Sequence, residues 1–140
     1  MCLDIRLGDK VLMRDTVVYK VVRYYKQGAM SFFEPCFFGR YRHFKKGVNY
    51  ASVQPIEYYT SKGLRTYPSG YHCFTRREAA KIYMEEFFQE EGATILEFVI
   101  PKGTKVSTGY TEVFDIVELR KLYTLVSPVI VWNREERYGI

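Results

Sequence analysis

Residues 38–46, Phe-Gly-Arg-Tyr-Arg-His-Phe-Lys-Lys, hold the sharpest chemical constellation in the chain. On a strand, side chains alternate between two faces. Arg40, Arg42 and Lys46 then share one face, and Tyr41, His43 and Lys45 share the other. Guanidinium forks match phosphate oxygens in pairs, and aromatic faces stack on bases. A nucleotide or single-stranded nucleic acid site needs that combination. A solvated strand edge uses the same cations to block pairing with another chain.

A second group lies at Gly70-Tyr71-His72-Cys73-Phe74-Thr75-Arg76-Arg77. His72 and Cys73 are adjacent, so on a strand they face opposite ways. His72 reads either as a core-edge histidine bonded to a loop or as a ligand contact at the mouth of a sheet. Arg76 and Arg77 open a helix whose first amides are free to receive an anion. Two cations there oppose the helix dipole, a local cost that an anionic partner relieves. The remaining soft ligands, Cys2, Cys36 and His43, are scattered without metal-ligand spacing. No P-loop, dinucleotide fingerprint or nucleophile elbow occurs, so the sequence names no metal, cofactor or catalytic residue.

These groups need elements to position them. Residues 75–91 read as one amphipathic helix, opened by a Thr75–Glu78 capping box and followed by Gly92 as a stop. Ala79, Ala80, Tyr83, Met84, Phe87 and Phe88 form its apolar side. Glu78, Lys81, Glu85, Glu86 and Gln89 form its polar side. Val17–Tyr25, Phe37–Phe44, Gly47–Val53, Thr94–Ile100 and Pro128–Trp132 read as strands. Segment 54–69 reads as a long loop with a short strand at Ile56–Tyr59. Pro101-Lys102-Gly103-Thr104 is a tight turn. Residues 112–126 fit either a strand and a helix or two strands. One helix amid many strands predicts an α+β fold, a bent and mostly antiparallel sheet packed on helix 75–91.

The 140 residues suit a single domain, 1–140. Net charge is +5, divided as +9 over residues 1–82 and −4 over 83–140. The basic part attracts anions, and the acidic part offers an opposite face or a self-association surface. Thirteen tyrosines and ten phenylalanines exceed what a core of this size needs, so some rings are expected at a recognition surface. No apolar run is long enough to cross a bilayer, and Met1-Cys2-Leu3-Asp4 lacks the basic start of a signal peptide. With three scattered cysteines, the expectation is a cytoplasmic protein without a disulfide framework or a membrane partner.

Several pieces together resemble a group of uncharacterised small proteins common in bacteriophages and prophages. They are Val18-Tyr19-Lys20-Val21-Val22, Gly47-x-x-Tyr50, Gly70-Tyr71-His72-Cys73-Phe74 with the Ala80/Tyr83 helix, and Leu96-Glu97-Phe98-Val99-Ile100-Pro101-Lys102-Gly103-Thr104. The resemblance spans residues 17–105 and implies a mobile-element context, host cytoplasm and a host-interaction role. The order of elements also looks like that of small ADP-ribosyltransferase-like domains. That likeness would put Tyr19 or Arg23 at the early site position and Glu112 at the late one.

The preferred expectation is a non-enzymatic phage-type binding protein that captures an anionic partner. A nucleotide-type immune signal fits best, held by Arg40, Tyr41, Arg42, His43, Lys46, His72, Arg76 and Arg77. Nucleic acid suits the same chemistry, and sponges of this kind are often homo-oligomers. The rivals are a protein–protein inhibitor of a host factor, using a tyrosine-rich face, and an ADP-ribosyltransferase-like enzyme.

Overall fold

A computed structural model describes residues 3–27, 30–35, 44–51, 56–60, 63–67, 70–87, 92–114 and 118–132. Their strands are β1 (Ile5–Val11), β2 (Thr16–Gln27), β3 (Met30–Pro35), β4 (Gly47–Tyr50), β5 (Ile56–Thr60), β6 (Gly63–Tyr67) and β7 (Tyr71–Phe74). Helix α1 (Arg77–Phe87) follows, then β8 (Ala93–Ile100), β9 (Lys105–Phe114), β10 (Leu119–Ser127) and β11 (Val129–Trp132). The main sheet runs β1-β9-β10-β7-β2-β8-β11-β4, with β3 also on β2, and β5–β6 is a separate hairpin. All the described pairings are antiparallel. The fold is therefore mostly sheet, with one helix as a minor element.

The long strand β2 organises the sheet. Its β-branched residues pair with β8 from Thr16↔Ile100 to Arg23↔Ala93. On its other edge it meets β7 at Tyr19↔Phe74, and β3 from Val22 onward. Alternation along β2 then builds two cores. Val18 and Val22 join Leu96, Phe98, Ile100, Leu125, Ile130 and others on one face. Val21 joins Phe74, Ala80, Tyr83, Ile95, Val113 and Leu122 under the helix on the other.

The first face curls on itself. Tyr71 of β7 donates through its hydroxyl to the Tyr50 carbonyl of β4 at 3.0 Å. Four strand spacings separate these strands, about 19 Å if the sheet were flat. That bond forms only if the sheet bends strongly. Phe44 fills the bend, its ring 5.0 Å from Phe98 and 5.7 Å from Tyr71.

The edge strand β1 is irregular. Its register against β9 shifts between Arg6 and Gly8, the mark of a bulge that spoils an edge for further pairing. Opposite the bulge, a Cβ at Gly109 would collide with the Ile5 carbonyl, so β1 approaches as closely as it does because that residue is glycine. The turn 101–104 matches expectation: Thr104 N–H donates to the Pro101 carbonyl at 3.2 Å, and Gly103 has φ +86°.

Of the two readings of residues 112–126, the two strands form, β9 and β10, and the short strand expected at Ile56–Tyr59 is β5. Other expectations are corrected. The segment read as a long loop also holds β6, paired with β5. The third predicted strand is shorter, Gly47–Tyr50. Residues 37–43 of the second lie outside the described residues, and Phe44 is buried. The helix starts later than predicted. Ala80 N–H donates to the Arg76 carbonyl, and Glu78 pairs with the Arg76 guanidinium at 3.3 Å, so its carboxylate turns to that cation. Residues 88–91 lie outside the described residues.

Phe87, expected in the core, is 52% exposed and rests against the Tyr83 ring at 4.8 Å. The helix contacts centre on Ala80 and Tyr83, and Phe87 falls at the rim. Phe87→Ala is expected to cost less than about 1 kcal/mol. Phe98→Ala, at a fully buried site, is expected to cost about 3–5 kcal/mol. Urea denaturation of the two variants checks this, and equal losses would show the helix seated differently.

Candidate functional site

The β1–β2 connection is tied to the 101–104 turn by backbone bonds. Leu12 N–H donates to the Thr104 carbonyl at 3.0 Å, and Gly103 N–H donates to the Leu12 carbonyl at 2.8 Å. Lys102 N–H donates to Asp15 Oδ1 at 2.8 Å, and the Thr16 hydroxyl donates to the Arg14 carbonyl at 3.0 Å. Leu12 is buried by this arrangement, which leaves its neighbours Val11 and Met13 outside, Met13 at 83% exposure. An exposed methionine on a braced connection has no packing role.

Beneath that connection lies a groove of about 510 Å³, lined by Lys10, Val11, Leu12, Met13, Arg14, Thr16, Thr75 and Leu125. Its two charged residues are both cations. Two hydroxyls and an apolar floor complete it. Thr75 brings the groove to the residues that open α1, so the helix start contributes to the same end of the molecule. The arrangement can hold an anionic group on Lys10 and Arg14 and cover an attached apolar portion with Val11 and Met13.

A second cavity of about 510 Å³ lies between α1 and β8, lined by Arg77, Glu78, Lys81, Met84, Ala93, Thr94 and Ile95. Its charges are mixed. Glu78 pairs with Arg76, and Lys81 lies 4.0 Å from Glu85. It therefore offers less attraction to an anion than the cationic groove.

Of the eight residues expected to form one site, the four among the described residues do not line a common cavity. Arg40, Tyr41, Arg42 and His43 lie outside the described residues. Lys46 is exposed just before β4, at the far edge of the sheet from β1. Arg76 and Arg77 are exposed at the start of α1, and Arg77 lines the mixed cavity. Lys10 and Arg14 escaped the sequence reading because nothing local joins them to Thr75 or Leu125. A cation on each side of Val11-Leu12-Met13 was the available signal.

His72 is buried and lines neither cavity, so the reading of it as a ligand contact is replaced by a structural one. Burial pushes its imidazole down to about 3, and the nearby Lys20 charge acts in the same direction. A hydrogen bond between the ring and the Gly70 backbone acts the other way. Lys20 itself is only 8% exposed. Its ammonium donates to the His72 carbonyl at 3.0 Å and lies 5.9 Å above the Tyr71 ring. Cys73 is a free, fully buried thiol pushed up to about 11 by its burial, and its Sγ donates to the Tyr71 carbonyl at 3.6 Å. A thiol so placed is a poor nucleophile.

The juxtaposition drawn from the ADP-ribosyltransferase likeness is not made. Tyr19 packs in the helix-side core, and Arg23 shares its strand face. Glu112 projects from the opposite face of β9, three strands away. Among the described residues, no group of three or more His, Cys, Asp or Glu is placed to hold a metal ion. No helix among them is long and apolar enough to cross a membrane.

Comparison with known proteins brings no relative: no family model, no curated protein and no solved structure matches the chain.

His72 makes stability depend on pH. Unfolded, it titrates near 6.5; folded, it does so at about 3. Between those values the unfolded chain holds a proton that the folded chain does not. Stability is therefore lost as pH falls through that window, by up to about 1.4 kcal/mol per unit. Urea denaturation at several pH values should show a shallower acid loss in His72→Gln than in the parent. Equal slopes would mean that His72 is not held neutral.

Proposed function

We propose that this protein is a non-enzymatic binding protein that captures an anionic, nucleotide-type small molecule in the groove of Lys10, Arg14 and Thr75. One observation carries the reading: this cavity presents cations without an acid, beside apolar side chains that are otherwise left in water. Phosphate oxygens would sit on Lys10 and Arg14, and a base or other flat apolar part would lie under Met13 and Val11. Arg76, next to Thr75, is paired with Glu78, so the attraction falls to Lys10 and Arg14. Holding the ligand without altering it is sequestration. The resemblance to phage and prophage proteins gives that role a setting: a sponge for an immune signal in the host cytoplasm.

A second reading is docking on a host protein. Val48 and Tyr50, both exposed on the terminal strand β4, support it, since an edge strand with an exposed aromatic suits a protein surface.

A thermal-shift screen with nucleoside mono- and triphosphates and cyclic nucleotides separates the two. At a hundredfold excess over Kd, a ligand of the folded state stabilises it by about 2.7 kcal/mol. The shift should vanish in Lys10→Glu/Arg14→Glu, whose own melting temperature should stay near that of the parent because both side chains are exposed. No shift with any nucleotide, or one indifferent to this double variant, would overturn the groove assignment and favour docking through β4.

A further inference from the structure

The groove continues into a surface track. Along β10, Leu119, Lys121, Tyr123 and Leu125 share one face, and Leu125 is the groove floor. Across the ladder on β9, Phe114 stands opposite Leu119, Glu112 opposite Lys121 and Tyr110 opposite Tyr123. The two tyrosine rings meet edge to face at 5.8 Å. Lys10 joins groove to track, because its ammonium lies 5.8 Å over the Tyr123 ring while its side chain lines the groove. At the far end Phe114 is 72% exposed. From Leu125 to Leu119 the path covers about 20 Å, at roughly 3.4 Å per residue.

We propose that this face binds a single-stranded oligonucleotide, with one phosphate group in the groove and successive bases on Tyr110 and Phe114, while Tyr123, packed on the core, holds Lys10 between them. This rests on the groove reading above and extends it from one nucleotide to several. The chemistry is that of a stacking platform beside cations. Aromatic faces take bases of any identity, while Lys10, Arg14 and Lys121 meet the backbone charge. The one acid on the β9–β10 part of the track, Glu112, is faced by Lys121, so it does not repel the strand alone. The track is narrow, a strand pair wide, with cations and aromatics following one another. That shape suits a single strand better than it suits a protein surface, which favours a broad apolar centre.

The test is fluorescence anisotropy with a labelled oligothymidylate of about twelve nucleotides, within the usual site sizes of such platforms. Thymidine monophosphate serves as the single-nucleotide probe. The oligonucleotide is expected to bind far more tightly than the mononucleotide. Its affinity should fall with salt on a log–log slope of about −1.4, from roughly −0.7 for each of two phosphates, one in the groove and one at Lys121. Phe114→Ala should weaken the oligonucleotide about tenfold, leave thymidine monophosphate unchanged and leave the fold intact, since the ring is exposed. Arg14→Glu should weaken both probes. Mononucleotide binding with no gain for the oligonucleotide and no effect of Phe114→Ala would overturn the track and leave the groove standing. Binding of neither probe would overturn both. Loss of a dimer in Phe114→Ala by light scattering, with oligonucleotide affinity unchanged, would overturn the track and make this face a protein interface.

Discussion

The buried ammonium of Lys20 bridges a break in the sheet. β2 pairs with β7 at Tyr19 and with β3 from Val22, so one edge of β2 changes partner across Lys20 and Val21. Where the ladder from β2 to β7 lapses, the Lys20 side chain replaces a backbone bond by donating to the His72 carbonyl. A charge is costly to bury, and it persists where fixed acceptors surround it. Here the carbonyl and the Tyr71 ring do so. Burial keeps His72 neutral, the same charge acting beside it, and that charge makes the Cys73 thiolate easier to form than burial alone would allow. Burial still dominates at both residues, so the seam remains structural.

From that seam the two faces take different work. Under α1, Phe74, Tyr83, Val113 and Leu122 pack into a core that has no opening to the groove. On the other face, the bend that brings β4 to β7 closes one half of the sheet around Phe44, Phe98 and Trp132. The β1-β9-β10 flank lies beyond that closure. Its apolar and aromatic side chains remain accessible, as Phe114 and Leu119 are. That surface stays open because the bend occupies the other half.

Most of the fold was legible where local pattern and tertiary context agree. The β-branched run at Val17–Tyr25, the strand at residues 94–100 and the Ala80/Tyr83 helix face all correspond to what forms. Residues 112–126 left two readings open, and the β9–β10 register, a long-range pairing, decides for two strands. Phe87 was misplaced because a helical wheel gives direction and not depth: it lies past the buried Ala80 and Tyr83, at the rim of the contact. The candidate site was hardly legible. Its parts are Lys10 and Arg14 from one connection, Thr75 from the helix entrance and Leu125 from β10. No local pattern relates positions so far apart, whereas Arg40 to Lys46 advertised themselves by being contiguous.

Strand β1 has a consequence for the order in which the protein is made. Its partners lie about a hundred positions later, Ile5 against Tyr110 and Val11 against Lys105. Pairings of such long range form late, since closing a large loop costs entropy before contacts repay it. During synthesis β1 therefore leaves the ribosome early and waits unpaired until β9 has emerged. The cations Arg6 and Lys10 discourage it from joining another nascent chain in the interval. The groove floor at Leu125 appears later still. A growing chain thus has no complete groove until β10 has emerged.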